Sequence, residues 1–312
     1  MTPLKPPRLR PGDLVALVSP ASTIADPSRI DRAVRYLESL GYRTKVGRSV
    51  LSTLGYLAGT DEERVADLHD AFGDPQVKAI LCIRGGYGTP RILSMLKYPL
   101  IARNPKIFMG YSDITALALA MWRKTGLVTF HGPMAGVDMA DPMDSFTEDL
   151  LWRVVTSRQK LGAIRFPDPP GRGLVPGRAV GRLLGGNLAL LVSSMGTPYF
   201  PDLRGAVLFI EDIGEEPYRV DRMLAQLRNA RILSSCAAIL GGQFTDCGPK
   251  DATKPSLTLE EVFQDAARRT GRPFLGGLPF GHEARKMTIP VGIRARVDTG
   301  MGELEYLEAA VR

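Results

Sequence analysis

Short apolar runs alternate with stretches of helical periodicity along the first 130 residues. The segments Leu14–Ser19, Val77–Ile83 and Ile107–Met109 are largely apolar, which is typical of strands buried on both faces of a sheet. The intervening stretches have apolar residues at three- and four-residue spacing, and Thr60 with Glu63 has the spacing of a helix-capping box. Strands that alternate with helices in this way predict a parallel sheet covered on both faces.

The second half of the chain repeats this alternation less regularly. Ala206–Glu211 and Ala237–Leu240 predict strands, and Pro217–Ala230 and Leu259–Thr270 predict the helices that follow them. From Lys286 onward the pattern alternates as in β-strands. The second half therefore also predicts an α/β arrangement.

A stretch dense in proline and glycine, Pro167–Gly181, lies between the two halves and has no periodicity. It predicts either the crossing between two domains or a loop over the active site. We therefore predict an N-terminal, doubly wound, amidotransferase-like parallel-sheet domain over residues 1–160. We predict that this domain is followed by a linker over 161–181 and then by a smaller α/β C-terminal domain over 182–312.

Composition narrows the function classes. The 312 residues are 44% hydrophobic and 23% charged, as in ordinary globular proteins, and the net charge of +7 is interspersed, so no nucleic-acid partner is expected. Cys82, Cys236 and Cys247 show no C-x-x-C spacing, which argues against a disulfide framework and a zinc site. The N-terminus has no apolar signal region and no stretch is long enough to span a bilayer. We therefore expect a protein that resides in the reducing cytoplasm, does not associate with membranes, and binds neither a metal nor a cofactor.

The most informative segment is the turn Gly110-Tyr111-Ser112-Asp113, which joins an apolar strand to a helix-patterned stretch. Several hydrolase folds present a nucleophilic serine on such a turn, beside backbone N–H groups that can stabilise an oxyanion. The alternative is that Ser112 or Asp113 only caps the helix. The second glycine of the G-x-S-x-G pattern is absent, since Ile114 stands in its place.

A glycine-rich turn, Arg84–Gly88, follows the strand before the one that leads to Ser112. In parallel sheets the ligand lies beyond the carboxyl ends of the strands. Both turns fall at those ends, so we expect them to face one crevice. The glycine-rich turn Arg84–Gly88 lacks the lysine of a phosphate-binding P-loop.

A serine nucleophile needs a base and a group that orients the base. His69 lies within a predicted helix, on a face expected to be solvated. His131 lies at a strand end, where it lines the crevice or is a partly buried residue that shapes a turn. His282 lies in a glycine-containing loop between apolar strands, which makes it the best candidate base.

The orienting acid should be a carboxylate at a strand end. Glu211 is the first charged residue after five apolar positions, and a buried charge needs a partner. The alternative is that Glu211 is only the solvated end of the strand. Glu215 and Glu216 precede a predicted helix, where they suit the positive end of its dipole.

Seven segments, taken in order, resemble the LD-carboxypeptidase family of serine peptidases, which includes the microcin C immunity peptidases. Each segment alone is a weak signal, but the ordered set covers nearly the whole chain. The segments are Gly12–Ser22 (GDLVALVSPAS), Arg84–Gly88 (RGGYG), Gly110–Thr115 (GYSDIT), His131–Met134 (HGPM), Gly185–Leu191 (GGNLALL), Phe209–Glu215 (FIEDIGE) and Gly277–His282 (GLPFGH).

The resemblance implies a catalytic triad in which Ser112 is the nucleophile, His282 the base and Glu211 the acid. It also implies an oxyanion hole made by the backbone N–H groups of Gly86 and Asp113. Family members place the nucleophile in a parallel-sheet N-terminal domain and the other two residues in a smaller C-terminal domain. They are usually cytoplasmic, metal-free homodimers.

The implied activity is hydrolysis of an L,D-peptide bond, with release of terminal D-alanine from murein tetrapeptide in peptidoglycan recycling. Arg84 and Tyr87 are candidate substrate-binding residues; Arg84 would clamp the terminal carboxylate or form a structural ion pair. One alternative is hydrolysis of peptidyl-nucleotide or other acyl-aminoacyl conjugates by the microcin C immunity branch, which stacks an aromatic residue on the base. Phe166 is the only aromatic residue of 154–191, which favours the murein branch. Another alternative is a non-catalytic protein that binds a ligand in the cleft.

Overall fold

A computed structural model of the protein describes residues 2–166, 172–251 and 253–312. The first of its two sheets has six strands in the order β2-β1-β3-β4-β5-β12. The first five strands are parallel, and β12 pairs with β5 in the antiparallel sense. Their bounds are β1 Leu14–Val18, β2 Arg43–Val46, β3 Val77–Cys82, β4 Ile107–Met109, β5 Thr129–His131 and β12 Ile289–Val291.

The second sheet has eight strands in the order β6-β14-β13-β8-β9-β10-β11-β7. The four strands β8 to β11 are parallel, and antiparallel strands flank them on both sides. Their bounds are β6 Gly162–Arg165, β7 Arg172–Val175, β8 Arg178–Asn187, β9 Val207–Ile213, β10 Ala238–Thr245, β11 Phe274–Gly276, β13 Arg294–Asp298 and β14 Glu303–Tyr306. The predicted α/β fold with two sheet domains is confirmed.

Helices cover both sheets, and several begin where the sequence predicts. Thr60 and Glu63 form a complete capping box, as do Thr258 and Glu261. Val220, Leu224 and Leu227 form a buried stripe on one helix. The bounds are α1 Ser28–Ser39, α2 Asp61–Gly73, α3 Thr89–Ile92, α4 Tyr98–Arg103, α5 Ile114–Thr125, α6 Ser145–Thr156, α7 Leu188–Ser193, α8 Pro217–Asn229, α9 Ile232–Ser235 and α10 Leu259–Thr270, with a 3₁₀ turn at Leu93–Met95.

The proline- and glycine-rich stretch differs from its prediction. Residues 167–171 lie outside the described part of the chain, but the remainder of Pro167–Gly181 contains β7 and the beginning of β8. β6 lies in the predicted linker as well. Pairing with partners distant in sequence forms these strands: β6 pairs with β14, and β7 pairs with β11. A local pattern cannot reveal such pairing.

The chain crosses back to the first sheet near its end, and this crossing positions the site. After β11 of the second sheet, a loop carries His282, and the chain then enters β12 at the edge of the first sheet. The register pairs Ile289 with His131. The loop that holds the candidate base is thus fixed at one end to each sheet.

Candidate active site

Ser112 lies on a sharp turn between β4 and α5. Its φ of 63° places a residue other than glycine in the left-handed region, a conformation with a steric cost that is often found at functional positions. The turn is held by backbone bonds from Ile114 to the oxygen of Tyr111 (3.3 Å) and from Thr115 to the oxygen of Ser112 (2.9 Å). The N-cap residue of α5 is Asp113, and no side-chain capping hydrogen bond is present there, so helix capping does not explain this turn.

Glu211 and His282 form a buried pair. Glu211 Oε2 lies 2.8 Å from His282 Nδ1, and the Glu211 side chain is fully buried while that of His282 is 12% exposed. A carboxylate that accepts from Nδ1–H leaves the Nε2 lone pair free to accept a proton. Gly281, at φ 132°, allows this approach because a Cβ there would lie 3.2 Å from Glu211 Oε2. Glu211 is therefore not a solvated strand end.

The histidine of this pair lies beside the serine turn. The ring of Tyr111, the residue before Ser112, meets the imidazole of His282 edge-on with centroids 5.0 Å apart. Within the described residues, Ser112 Oγ makes no hydrogen bond to His282. Catalytic hydrogen bonds are often long in ligand-free enzymes and tighten when substrate binds.

The glycine-rich turn packs directly on Ser112. A Cβ at Gly85 would lie 2.8 Å from Ser112 Cβ, and one at Gly86 would lie 2.4 Å from Ser22 Oγ. Ser22 Oγ accepts from the N–H of Tyr87 at 3.0 Å. Among the described residues, neither the N–H of Gly86 nor that of Asp113 has a hydrogen-bond partner. These two donors are therefore available to an oxyanion.

Three residues that the sequence patterns did not single out brace the glycine turn, and one of them, Thr89, also joins it to the serine turn. The buried Arg64 donates to the oxygens of Pro20 (2.6 Å) and Gly88 (3.0 Å). Thr89 N–H donates to the Asp113 carboxylate at 2.8 Å, and its hydroxyl donates to the Asp113 carbonyl. Burial raises the pKa of Asp113, although the hydrogen bonds from Thr89 oppose this. The third residue is Ser22, described above.

Arg84 and Tyr87 extend from the same glycine turn. Arg84 Nη1 donates to the oxygen of Thr23 at 3.1 Å, and no acidic side chain in the described residues pairs with it. Tyr87 is 47% exposed and meets Tyr56 edge-on with ring centroids 5.5 Å apart. The structure therefore does not support a structural ion pair for Arg84 within the described chain.

The other two histidines do not line the crevice. His69 Nε2 accepts from the N–H of Lys97 at 2.9 Å, which joins α2 to the residue before α4. His131 is 4% exposed and packs edge-on against Phe209. Burial lowers the pKa of His131 to about 4, although the charge of Glu211 opposes this shift. His131 is thus a buried, neutral residue.

A polar contact joins the two domains beside the site. Asn187 N–H donates to Thr115 Oγ1 at 3.0 Å, and its side-chain amide donates to Asp212 at 2.8 Å. Burial raises the pKa of Asp212 to about 6, against the hydrogen bonds it accepts. The Gly-Gly-Asn segment was noted only as part of the resemblance, and its link to α5 has no local sequence signal.

Two further side chains limit the chemistry. Burial raises the pKa of the Cys82 thiol well above its ordinary value, so this thiol is inert, as its place inside a strand predicts. Phe166 is 7% exposed in the core and is therefore not a surface on which a base could stack.

In the described part of the chain, no helix is both apolar enough and long enough to cross a membrane.

The model of the LD-carboxypeptidase N-terminal domain matches residues 15–132, and that of the LD-carboxypeptidase C-terminal domain matches residues 180–297. The first match contains the serine turn and the glycine turn, and the second contains Glu211 and His282. Together the two matches span most of the chain.

Curated relatives match over nearly the full length. A probable murein peptide carboxypeptidase from Bacillus subtilis is 45% identical over 301 residues, covering 95% of this chain and 92% of the relative. A murein tetrapeptide carboxypeptidase from Pseudomonas aeruginosa is 35% identical over 285 residues, covering 89% and 91%.

Solved structures share the architecture. A muramoyltetrapeptide carboxypeptidase from Oxalobacter formigenes superposes with a TM-score of 0.83 at 32% identity, covering 94% of this chain and 97% of that one. MccF in complex with glutamyl sulfamoyl guanosine superposes with a TM-score of 0.89 at 26% identity, covering 99% and 100%. Both structures thus share the two-sheet arrangement described above.

Proposed function

We propose that this chain, which belongs to the LD-carboxypeptidase family of serine peptidases, releases terminal D-alanine from murein tetrapeptide by a Ser112–His282–Glu211 triad. The observation that carries this proposal is the buried 2.8 Å contact between Glu211 and His282. This pair lies beside a serine held at φ 63°. A structural role requires neither the strained serine nor the paired histidine.

The reaction we propose is acyl transfer. His282 Nε2 removes the proton of Ser112 Oγ as this oxygen attacks the carbonyl carbon of the L,D-peptide bond. Glu211 keeps His282 in the required tautomer and stabilises the imidazolium. The N–H groups of Gly86 and Asp113 stabilise the oxyanion. The imidazolium then protonates the leaving amino group of D-alanine, and water, deprotonated by His282, hydrolyses the acyl-enzyme.

Arg84 supplies the recognition of the terminal carboxylate in this proposal. Its guanidinium lacks an acidic partner among the described residues and lies beside the oxyanion turn. Arg84→Ala should raise KM for the tetrapeptide, because a charge-assisted bond to the carboxylate is lost. Arg91→Ala is the matched control, since Arg91 already pairs with Asp61. A substrate with a terminal carboxamide should show the same KM in wild type and Arg84→Ala.

Tyr87 forms the exposed wall of the same subsite, supported on one side by Tyr56. Tyr87→Ala should raise KM for the tetrapeptide with a smaller change in kcat, because the apolar contact is made in both the ground state and the transition state. A Tyr87→Ala variant with unchanged KM contradicts the assignment.

Hydrolysis of peptidyl-nucleotide conjugates is the second candidate, favoured by the high structural similarity to MccF. The burial of Phe166 argues against it, because no other aromatic residue is present in 154–191 to stack on a base. The non-catalytic alternative predicts no turnover of either substrate class.

We place the nucleophile in a domain over 1–160 and the other triad residues in a domain over 182–312. The strands β6 and β7 of the predicted linker join the second sheet, and β12 returns to the edge of the first. We also propose that the enzyme is a cytoplasmic homodimer that acts in peptidoglycan recycling. The relatives named murein peptide carboxypeptidase and murein tetrapeptide carboxypeptidase support the substrate class of this proposal.

The test compares three substrates by mass spectrometry with the wild-type protein. They are L-Ala-γ-D-Glu-meso-diaminopimelate-D-Ala, its diastereomer ending in L-alanine, and an aminoacyl sulfamoyl nucleoside. We expect release of alanine from the first substrate only. Cleavage confined to the nucleoside conjugate would support the second candidate, and no cleavage of any substrate by folded protein would support the non-catalytic one.

A further inference from the structure

A buried lysine lies behind the serine turn. Lys286 follows His282 by four residues, and its side chain is 3% exposed. Its ammonium group forms an ion pair with Asp138 at 2.5 Å and donates to the hydroxyl of Tyr111 at 3.1 Å. Since Tyr111 immediately precedes Ser112, one ammonium group joins the segment of the base to the turn of the nucleophile.

The ring of Tyr111 links the same two parts. The Lys286 ammonium lies 4.4 Å from the centroid of this ring, and the ring edge meets the imidazole of His282. Burial raises the pKa of Tyr111 well above its ordinary value, so the phenol stays neutral. The ring of Tyr111 therefore contacts both the Lys286 ammonium group and the imidazole of His282.

The backbone around Lys286 is anchored as well. Its N–H donates to Thr147 Oγ1 at 2.8 Å, and the Thr147 hydroxyl donates to the oxygen of Ala284 at 3.1 Å. Asp138 in turn accepts from the N–H of Met134 at 2.7 Å. Lys286 thus ties the loop after β11 to the helix α6 and to the segment after β5.

Resting on the proposed function, we infer that Lys286 is a positioning residue, which through Asp138 and Tyr111 holds the His282 loop in register with the Ser112 turn. The base and its partner Glu211 come from the second sheet, whereas the nucleophile comes from the first. A displacement of about 1 Å between reacting groups can lower a rate by about 10². Apolar side chains can replace buried ion pairs without loss of stability, so stability alone does not require this lysine.

The test is the pair of variants Lys286→Met and Lys286→Met/Asp138→Asn, assayed by D-alanine release and thermal unfolding. The double variant leaves no unpaired charge and keeps an acceptor for Met134. We expect kcat to fall about 10²-fold with KM within about threefold, while the melting temperature of the double variant stays near that of wild type. A merely structural lysine would not produce this separation.

Lys106→Met is the matched control. Lys106 is 4% exposed and donates to the carbonyl oxygens of Ala71 and Asp74, away from the site. Its loss should lower the melting temperature and leave kcat unchanged. A folded double variant with wild-type kcat, or an equal loss of kcat in Lys106→Met, would overturn the inference.

Two further measurements cover the remaining outcomes. If Lys286→Met does not fold, Tyr111→Phe removes only the hydroxyl that accepts from the lysine; we expect kcat to fall about tenfold, and an unchanged kcat refutes the inference. If the wild-type protein releases no D-alanine, the proposed function fails by itself. The rate at which a fluorophosphonate labels Ser112 in each variant then decides the inference, and equal rates contradict it.

Discussion

Replacing Glu211 with glutamine should separate the charge of the orienting acid from its shape. The carboxylate is fully buried, and only Oε2 has a hydrogen-bond partner, His282 Nδ1, among the described residues; Oε1 has none. If the amide oxygen of Gln faces Nδ1, its NH₂ group takes the place of the unpartnered Oε1. If the NH₂ group faces Nδ1, the imidazole must carry its proton on Nε2 and cannot act as a base.

The expected loss of kcat follows from the orientation in which the NH₂ group faces Nδ1, because the imidazole then has the wrong tautomer. The corresponding change in a serine protease lowers kcat about 10⁴-fold, which equals about 5.5 kcal/mol of transition-state stabilisation. KM should change little, because Glu211 does not contact the substrate in the proposed mechanism. The folded state should be within about 2 kcal/mol of wild type, since a buried charge is replaced by a neutral group of the same shape.

The assay is the initial rate of D-alanine release across substrate concentrations, with urea unfolding as the stability measurement. Glu215→Gln serves as the control, because Glu215 pairs with Arg219 at 3.7 Å at the start of α8 and should keep wild-type kcat. A folded Glu211→Gln variant with kcat within tenfold of wild type would refute the assigned role of the carboxylate.

Three other predictions concern strain, space and charge. Ser112→Gly should unfold with a free energy about 1 kcal/mol above that of Ser112→Ala, because glycine relieves the left-handed conformation; equal values from urea unfolding argue against strain. Gly86→Ala should lower kcat about 10²-fold, since its Cβ would meet Ser22 Oγ at 2.4 Å and displace an oxyanion donor. Gly196→Ala is the control, because Gly196 has a φ of 80° but lies in open space, and it should not change kcat. His131→Gln should change the pH dependence of stability, because burial holds the pKa of His131 at about 4, below its ordinary 6.5. Between these two pH values the unfolded wild-type chain binds more protons than the folded one. The wild-type protein therefore loses stability as the pH falls through this range. Its free energy of unfolding relative to His131→Gln should drop by about 3 kcal/mol from pH 7 to pH 4, and a constant difference contradicts this.

Much of the fold could be predicted from local patterns. The buried strands β1, β3 and β4 are apolar runs, and α2 and α10 begin at capping boxes, because these features depend only on neighbouring residues. The strands β6 and β7 were missed because they form by pairing with β14 and β11, far away in sequence. Composition rich in proline and glycine gives no indication of such pairing.

The residues of the candidate site also divide into those that a local sequence pattern reveals and those that it does not. Ser112 could be recognised because a turn between an apolar strand and a helix has a sequence signature, and Glu211 because it ends an apolar run. Arg64 and Lys286 could not be recognised, since a charged residue in a sequence carries no sign that it will be buried. Their partners are backbone oxygens or side chains that only the folded chain brings near.

The measurement that tests the central claim most directly is D-alanine release from murein tetrapeptide by wild type and by Ser112→Ala, followed by mass spectrometry. Ser194→Ala is the control, because the Ser194 hydroxyl is buried and bonded to the oxygen of Leu191. We predict that wild type and Ser194→Ala release D-alanine, and that Ser112→Ala is slower by several orders of magnitude. Release by folded Ser112→Ala at the wild-type rate would contradict the account.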